Sequence, residues 1–200
     1  MVNNSEKYDR IISNASLLFA QADFQSVCME DVAIAAKVGK GTLYNYFKSK
    51  EDLYFSILHY RMEKLLLVLE NAYNGRDDFL KNMRSLIIHL NKFFNNNRSF
   101  HQIWIREENS LERNGNQTIL ELKERILSLI ENVLRQGAQE KLLADDLDTA
   151  FAAQIVYSLI NYTNYEGNPD KLFSILLRGI GKDGLNISFE YESCNHENRS

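Results

Sequence analysis

The stretch that decides the fold is Lys37-Val-Gly-Lys-Gly-Thr-Leu-Tyr-Asn-Tyr-Phe-Lys-Ser-Lys50. It carries four lysines and no acidic residue, in a chain whose formal net charge is −4. Leu43 and Phe47 are four residues apart, so they share one face of a short helix over 42–47 and can pack inward. Four small apolar residues upstream supply a first helix and a turn that close over this pair: Val32, Ala33, Ala36 and Val38. This arrangement is a helix-turn-helix pattern.

The other faces of the second helix carry residues that suit contact with nucleic acid better than packing. We expect Tyr44, Asn45 and Tyr46 to point outward, where they can reach phosphates and base edges. The alternative is a purely structural pair of helices. We favour DNA binding because two outward tyrosines beside lysines have no packing role in this pattern.

These residues resemble the DNA-binding domain of the TetR family of bacterial transcriptional regulators. The resemblance covers about a quarter of the chain by motif, and beyond that it extends only to size and helical layout. The run from Gly41-Thr-Leu-Tyr to Lys50-Glu-Asp-Leu53 is highly specific to the family. The other positions that carry the resemblance are Ile11, Ala15, Leu18, Phe19, Asp31-Val-Ala33 and Val38-Gly-Lys40.

Two positions depart from the family pattern. Cys28 stands where the family has a threonine that caps the second helix and contacts a phosphate, and a thiol is a weak hydrogen-bonding group. Lys37 replaces the glycine of the turn. If this residue is left-handed, lysine costs of order 1 kcal/mol more than glycine.

We predict the DNA contacts residue by residue. Tyr44 and Lys50 are expected to hold phosphates, the lysine from the start of the fourth helix, where backbone N–H groups also favour anions. The remaining predicted contacts are to bases or adjacent phosphates, and they come from Lys40, the backbone of Gly41, Thr42, Asn45 and Tyr46.

Composition places the chain among ordinary globular proteins. Of its 200 residues 44% are hydrophobic, and Cys28 and Cys194 near opposite ends indicate no disulfide framework or thiolate metal site. The N-terminus has no apolar signal core and no run approaches transmembrane length, so we expect a cytoplasmic protein without membrane contact. A pI near 5.6 does not exclude a DNA reader whose basic charge is confined to one face.

Apolar periodicity predicts an all-α fold of about nine helices. We expect a DNA-binding domain at 1–50, a ligand-binding and dimerisation domain at 51–182, and a C-terminal tail at 183–200. Alternation with period two over 185–192 is typical of a strand, but no partner strand is predicted, so we favour an extended tail. Helix starts are predicted at Ser49-Lys-Glu-Asp52 and Thr118-Ile-Leu-Glu121, both capping boxes, at Asp146 or Asp148, and at Asn168-Pro169.

The predicted body contains more aromatic residues than two small helical layers require. Ordinary core and a ligand cavity are equally good interpretations of this set. As cavity residues we name Phe93, Trp104 and Tyr157 for the walls and His101, Glu107 and Asn161 for polar anchors. Such a lining favours a small hydrophobic effector, for example a fatty-acyl compound, a lipid or an aromatic drug, over a sugar.

Metal and enzyme sites are the weaker interpretations. His89, His101, Glu107 and Glu108 match no common zinc spacing, so we interpret them as separate polar residues and expect no metal. No informative nucleophile–base spacing occurs, and neither an enzyme nor a cofactor is predicted.

The resemblance to the TetR family implies a ligand-responsive transcriptional regulator, most simply a repressor. It implies a homodimer that pairs through its last two helices and reads a palindromic operator in double-stranded DNA. Another role found in the family, a nucleoid-associated architectural or division-control protein, is the alternative. Residues proposed for the dimer contact are Ala152, Val156, Leu159, Leu172, Ile175 and Leu176.

Overall fold

The chain folds as a layered array of α-helices, as the apolar periodicity predicted. The computed structural model describes residues 4–73, 75–114, 116–163 and 168–182. In these ranges the secondary structure is helical apart from loops and one isolated bridge between Leu143 and Gly181. The helices are α1 (Asn4–Gln21), α2 (Met29–Ala35), α3 (Lys40–Tyr46), α4 (Lys50–Ala72), α5 (Phe79–Asn96), α6 (Arg98–Asn114), α7 (Gln117–Gln139), α8 (Thr149–Thr163) and α9 (Pro169–Ile180), with a 3-10 turn at Phe24–Ser26.

Helix α4 joins the helix-turn-helix to the rest of the chain. Its 23 residues span about 34 Å at the usual rise per residue. Its buried side contacts α1, α5, α6 and α7, while α7 packs on α8, and α9 packs on α5. Because α1 also packs along α6, one continuous hydrophobic core runs from the first helices into the body. None of the helices in the described ranges is long and apolar enough to span a lipid bilayer.

The predicted helix starts are correct except for one. Ser49 Oγ accepts a hydrogen bond from the backbone N–H of Asp52 at 3.0 Å. The Asp52 carboxylate accepts from the backbone N–H of Lys48, whereas in a full capping box it would accept from that of Ser49. Asp148 and Asn168 also accept from backbone N–H groups at their helix starts. The capping box at Thr118 is wrong, because α7 already begins at Gln117 and Asn116 occupies the N-cap without a side-chain bond.

The turn between α2 and α3 has the left-handed geometry that the family's glycine would favour. Lys37 has φ 51°. The N–H of Val38 donates to the carbonyl of Ala33 at 2.9 Å, and the N–H of Lys37 donates to that of Ile34 at 3.0 Å. These two bonds form a Schellman motif, in which the residue after the helix is left-handed. Lys37 occupies that position although a left-handed conformation is sterically unfavourable for lysine. The predicted strand pattern over 185–192 and the tail from residue 183 lie outside the described residues.

Candidate DNA-binding face and effector region

The apolar pair predicted from the sequence packs the inner side of the helix-turn-helix into the core. Leu43 and Phe47 are buried against Val32 and Ala36, which are buried in turn. With its back fixed in this way, α3 presents one face outward. Lys40, Gly41 and Asn45 are exposed there, Tyr44 retains 40% of its surface, and Thr42 is half-buried at the edge of the face.

Tyr46 does not share the outward position that the sequence analysis gave it. Its side chain is half-buried, and its ring lies edge-on to Tyr8 of α1 with centroids 6.0 Å apart. The expectation was wrong because residues 43 and 46 are three apart and therefore neighbours on the helix surface. The i, i+3 spacing already contained this information. Tyr46 therefore supports α3 against α1 as well as bordering the exposed face.

Two lysines of the predicted DNA contacts have intramolecular partners in the free protein. Lys40 forms an ion pair with Glu30 of α2, and the hydrogen bond from Lys40 holds the pKa of Glu30 below its usual value. Lys50 Nζ donates to the carbonyl of Gln25 at 3.1 Å and lies 4.6 Å from the centroid of the Phe24 ring. A phosphate that binds either lysine would have to replace or share these partners. Cys28 occupies the N-cap of α2 without a side-chain capping bond, as its chemistry suggested.

The aromatic residues named as cavity walls come together inside the body. Phe93, Trp104 and Tyr157 are buried, and two further rings connect them. Phe100 has its centroid 6.2 Å from that of Phe93 and 6.3 Å from that of Trp104, and Phe94 has its centroid 6.4 Å from that of Tyr157. The indole N–H of Trp104 is buried without a hydrogen-bond partner among the described residues. The aromatic rings therefore pack closely around the indole N–H of Trp104, which has no acceptor among the described residues.

Two of the predicted polar anchors meet beside this cluster. His101 Nε2 lies 2.7 Å from the carbonyl oxygen of Asn161 and 3.1 Å from its Oδ1, and the His101 ring stacks on Phe94. The Asn161 amide donates to Glu108 Oε2 at 3.1 Å. Lys123 Nζ lies 2.9 Å from the other Glu108 oxygen. His101, Asn161, Glu108 and Lys123 thus form a buried polar network in which a carboxylate is fully engaged.

Glu107 is not part of this network. It accepts from the Tyr54 hydroxyl at 2.8 Å, and Arg106 Nε lies 3.6 Å from the same carboxylate. Burial raises the pKa of Tyr54 to about 12; the bond from Arg106 lowers it and the bond to Glu107 raises it. Glu108 rather than Glu107 bonds to Asn161, because Glu108 is seven residues from His101 and hence two turns along the same face, whereas Glu107 is rotated away. The same helical spacing could have identified it in the sequence.

Three further polar groups belong to this region. Glu108 is predicted above only as a possible metal ligand, and Lys123 is not predicted at all. Tyr162, one of the aromatic residues of the body that the sequence offers for a cavity, donates its hydroxyl to Glu108 at 2.7 Å. Together with Tyr157 they border a pocket of about 290 Å³. Over the described ranges no three His, Cys, Asp or Glu side chains converge on a possible metal position.

The residues proposed for the dimer contact are mostly buried in their own subunit. Ala152, Val156, Leu172 and Leu176 are covered by neighbouring helices of their own subunit, but Ala152, Val156 and Leu176 also line a groove between α8 and α9. Their part in a dimer contact therefore stays a prediction. Helix α8 is apolar on nearly every side, and its small residues serve its packing on α7. The side chains left uncovered are larger: Phe151 (60% exposed), Ile155 (45%) and Ile175 (64%). We call these three residues the α8–α9 apolar face.

Comparison with known proteins matches both parts of the chain. A family model described as "Bacterial regulatory proteins, tetR family" matches residues 11–57, and one described as "Tetracyclin repressor-like, C-terminal domain" matches residues 77–165. The "Fatty acid metabolism regulator protein" of Bacillus subtilis is 26% identical over 82% of this chain and 84% of its own length.

Solved structures share the fold over nearly their whole length. The TetR family regulator PfmR from Thermus thermophilus has a TM-score of 0.73 at 23% identity and covers 85% of this chain and 98% of its own. The regulator FadR from Bacillus subtilis, solved in complex with stearoyl-CoA, has a TM-score of 0.68 at 21% identity. It covers 86% of this chain and 96% of its own.

Proposed function

Because the chain belongs to the TetR family of transcriptional regulators, we propose that it is a ligand-responsive repressor that binds a palindromic operator as a homodimer and is released by a long-chain acyl effector. In this proposal residues 1–50 are the DNA-binding domain and residues 51–182 the ligand-binding and dimerisation domain. The observation that carries the effector proposal is the buried aromatic cluster beside the His101–Asn161–Glu108 network.

The effector class follows from what this interior can accept. An acyl chain is apolar and flexible, so it can replace ring-to-ring contacts without leaving buried polar groups unpaired. A sugar would need many more donors and acceptors than the cluster offers. The curated relative named as a fatty acid metabolism regulator and the stearoyl-CoA complex of FadR support the same class. Phe93, Trp104 and Tyr157 are the proposed walls, and His101 and Asn161 the proposed anchors.

A direct bond joins the body to the DNA-binding end. Arg106 Nη2, on α6, donates to the carbonyl of Phe19 in the last turn of α1 at 2.9 Å. The Tyr54 hydroxyl of α4 lies 3.3 Å from the same nitrogen. An effector that moves α6 would therefore move the ends of α1 and α4. It releases DNA only to the extent that it binds the shifted state better than the DNA-bound state.

The proposed DNA contacts divide into two kinds. Tyr44 and Lys50 position the protein on phosphates. The contacts to bases or adjacent phosphates come from Asn45, with Lys40, the backbone of Gly41, Thr42 and the exposed edge of Tyr46 beside it. We expect Lys50→Ala to weaken binding to all sequences about equally and to reduce the salt slope by about 1, and Asn45→Ala to change base preference. Lys81→Ala, an exposed lysine on α5, is the control. If the triple variant Tyr44→Phe, Lys50→Ala, Asn45→Ala binds the operator as tightly as the wild type, the proposed DNA contacts are wrong.

Dimerisation is proposed through the α8–α9 apolar face. Three large exposed apolar side chains on adjacent helices are typical of an interface, and a groove of about 300 Å³ between the helices can receive a partner side chain. We expect Ile155→Glu with Ile175→Glu to give a monomer in sedimentation at micromolar concentration. Leu67→Glu, an equally exposed apolar position on α4 (52%), should remain a dimer. A wild-type monomer under these conditions would contradict the proposal.

The effector is tested by titrating operator binding with acyl compounds. Trp104 is the only tryptophan in the sequence, so its fluorescence reports directly on the aromatic cluster. We expect long-chain acyl-CoA to quench this fluorescence and to weaken operator binding, and a sugar phosphate to do neither. If a polar metabolite releases DNA and acyl compounds do not, the effector class is wrong. Mapping bound sites across the genome separates a regulator at a few promoter palindromes from an architectural protein at many dispersed sites.

A further inference from the structure

A pocket with both polar and apolar walls lies where the DNA-binding end, the connecting helix and the body meet. It has a volume of about 360 Å³ and is bordered by Ser13 and Leu17 of α1, Arg61 of α4, and the α5–α6 turn with Arg98 and Phe100. Its inner wall, Phe100, belongs to the aromatic cluster, while its outer part carries two arginines and several amide and hydroxyl groups. The pocket therefore has an apolar inner end and a cationic mouth.

Arg61 has no ion-pair partner among the described residues, although Tyr60 and the Asp9 carboxylate lie near enough to interact with its charge. Its Nη2 donates to Ser13 Oγ at 3.1 Å, its Nε is buried without a hydrogen-bond partner, and no carboxylate within the described ranges forms an ion pair with it. Burial also lowers the pKa of this guanidinium, as expected for a desolvated cation. A partly buried guanidinium is planar, presents several donors and binds phosphate or carboxylate in two-point fashion.

The neighbouring backbone presents two helix ends of opposite sign. The first turn of α6, including Ser99 and Phe100, borders the pocket, and the N-terminus of a helix of 17 residues attracts anions through its dipole and free N–H groups. The last residues of α5, Asn95 and Asn96, border it with a C-terminal end, so Arg61 has to supply most of the attraction for an anion. The pocket volume of about 360 Å³ is many times the roughly 10–15 Å³ of such volume that one water molecule needs, and hence more than a carboxylate fills. Its size suits a larger, phosphate-bearing group.

We propose that this pocket binds the phosphate-bearing end of an acyl thioester effector, with Arg61 as the principal ligand, while the acyl chain enters the aromatic cluster past Phe100. The inference rests on the proposed acyl effector and adds the site that recognises its anionic end. Because Arg61 also donates to Ser13 of α1, an anion that binds the guanidinium competes with a contact between α4 and the DNA-binding end. Recognition of the phosphate and release of DNA thus share one side chain.

The test compares Arg61→Gln with two controls. Ser13→Ala removes the bond to α1 but keeps the cation, and Arg135→Gln removes an exposed cation of α7 far along the chain from the pocket. Direct binding is measured with coenzyme A alone, through the rise in Tm that it causes. We expect coenzyme A to stabilise the wild type, Ser13→Ala and Arg135→Gln. In Arg61→Gln its affinity should fall at least about tenfold, the loss expected for one charge-assisted hydrogen bond.

Operator release supplies the second measurement. Arg61→Gln should need at least about tenfold more long-chain acyl-CoA than the wild type to release DNA, with an unchanged response to the matching free fatty acid. Equal coenzyme A affinity in wild type and Arg61→Gln, or no binding to either, overturns the phosphate site. If Arg61→Gln weakens the binding of the free fatty acid as much as that of coenzyme A, Arg61 recognises carboxylates in general, and the phosphate site is also overturned. If coenzyme A binds through Arg61 but acyl-CoA does not release DNA, the site stands and the proposed effector function fails.

Discussion

Gly137 in α7 offers the sharpest test of how tightly the body is packed. A Cβ built at this position would lie 2.7 Å from Cδ2 of Phe79, 2.8 Å from its Cγ and 2.9 Å from its Cε2. Phe79 is fully buried, and the backbone N–H of this residue donates to both oxygens of Glu140 at 3.2 Å. The ring therefore has no free space to move into, so we expect Gly137→Ala to force α5 and α7 apart locally.

Two opposing terms set the size of the effect. Replacing a helical glycine by alanine gains about 1 kcal/mol of helix propensity. Overpacking a close-packed core costs about 1–3 kcal/mol. We expect Gly137→Ala to lower the free energy of unfolding by about 1 kcal/mol net. Gly41→Ala in α3 is the matched control, because nothing lies within 4 Å of its added Cβ and the same substitution should stabilise by up to about 1 kcal/mol.

Urea unfolding at a fixed protomer concentration measures both variants, since dimer formation makes stability depend on concentration. The denaturation midpoint should fall for Gly137→Ala and rise for Gly41→Ala with unchanged slope. Adding Phe79→Leu to Gly137→Ala should recover part of the loss, a coupling that a double-mutant cycle isolates. Gly137→Ala as stable as Gly41→Ala would refute the argument, because it would mean that the core yields without cost at this contact.

Other contacts give four further predictions. Lys37→Gly should raise the free energy of unfolding, measured in urea, by about 0.5–1 kcal/mol. Glycine removes the strain of the left-handed conformation, and this gain exceeds the opposing effect of the greater backbone entropy of glycine in the unfolded chain. Glu30→Gln releases Lys40 for DNA, so operator binding should tighten at low salt and the salt slope should steepen by up to about 1; an unchanged slope would show that Lys40 does not contact phosphate. The pKa of Tyr54 is raised from 10.0 to about 12, so the free energy of unfolding should fall as the pH rises from about 10 to about 12. In Tyr54→Phe, unfolding in urea across this pH range should show a smaller fall, because the titrating hydroxyl is absent. Arg106→Gln should leave acyl-CoA binding, followed by fluorescence, unchanged while it reduces the effect of acyl-CoA on operator affinity; equal coupling in both proteins would show that the bond to α1 transmits nothing.

Local chemistry made much of this protein readable from its sequence. The burial of Leu43 and Phe47 follows from a spacing of four, and the helix starts at Ser49 and Asn168 follow from side chains that cap backbone N–H groups within three residues. The left-handed turn at Lys37 could be anticipated because the alternative residue in the family is glycine. Each of these features depends on contacts between residues close together in the chain, so periodicity and capping rules suffice to predict them.

Features that depend on residues far apart in the chain were decided by the tertiary structure. The spacing of Tyr46 from Leu43 indicates partial burial, but its partner, Tyr8 of α1, is 38 residues away and is supplied by the tertiary structure. Ala152 is buried within its own subunit because neighbouring helices cover α8. Helical spacing places Glu108 on the face of His101, but its bond to Asn161 depends on where α8 lies beside α6. Arg61 lies in a pocket only because three separate segments meet around it. Local patterns determine which face of a helix is apolar, but which neighbour covers that face depends on how distant helices pack, and that packing assigns each polar group its partner.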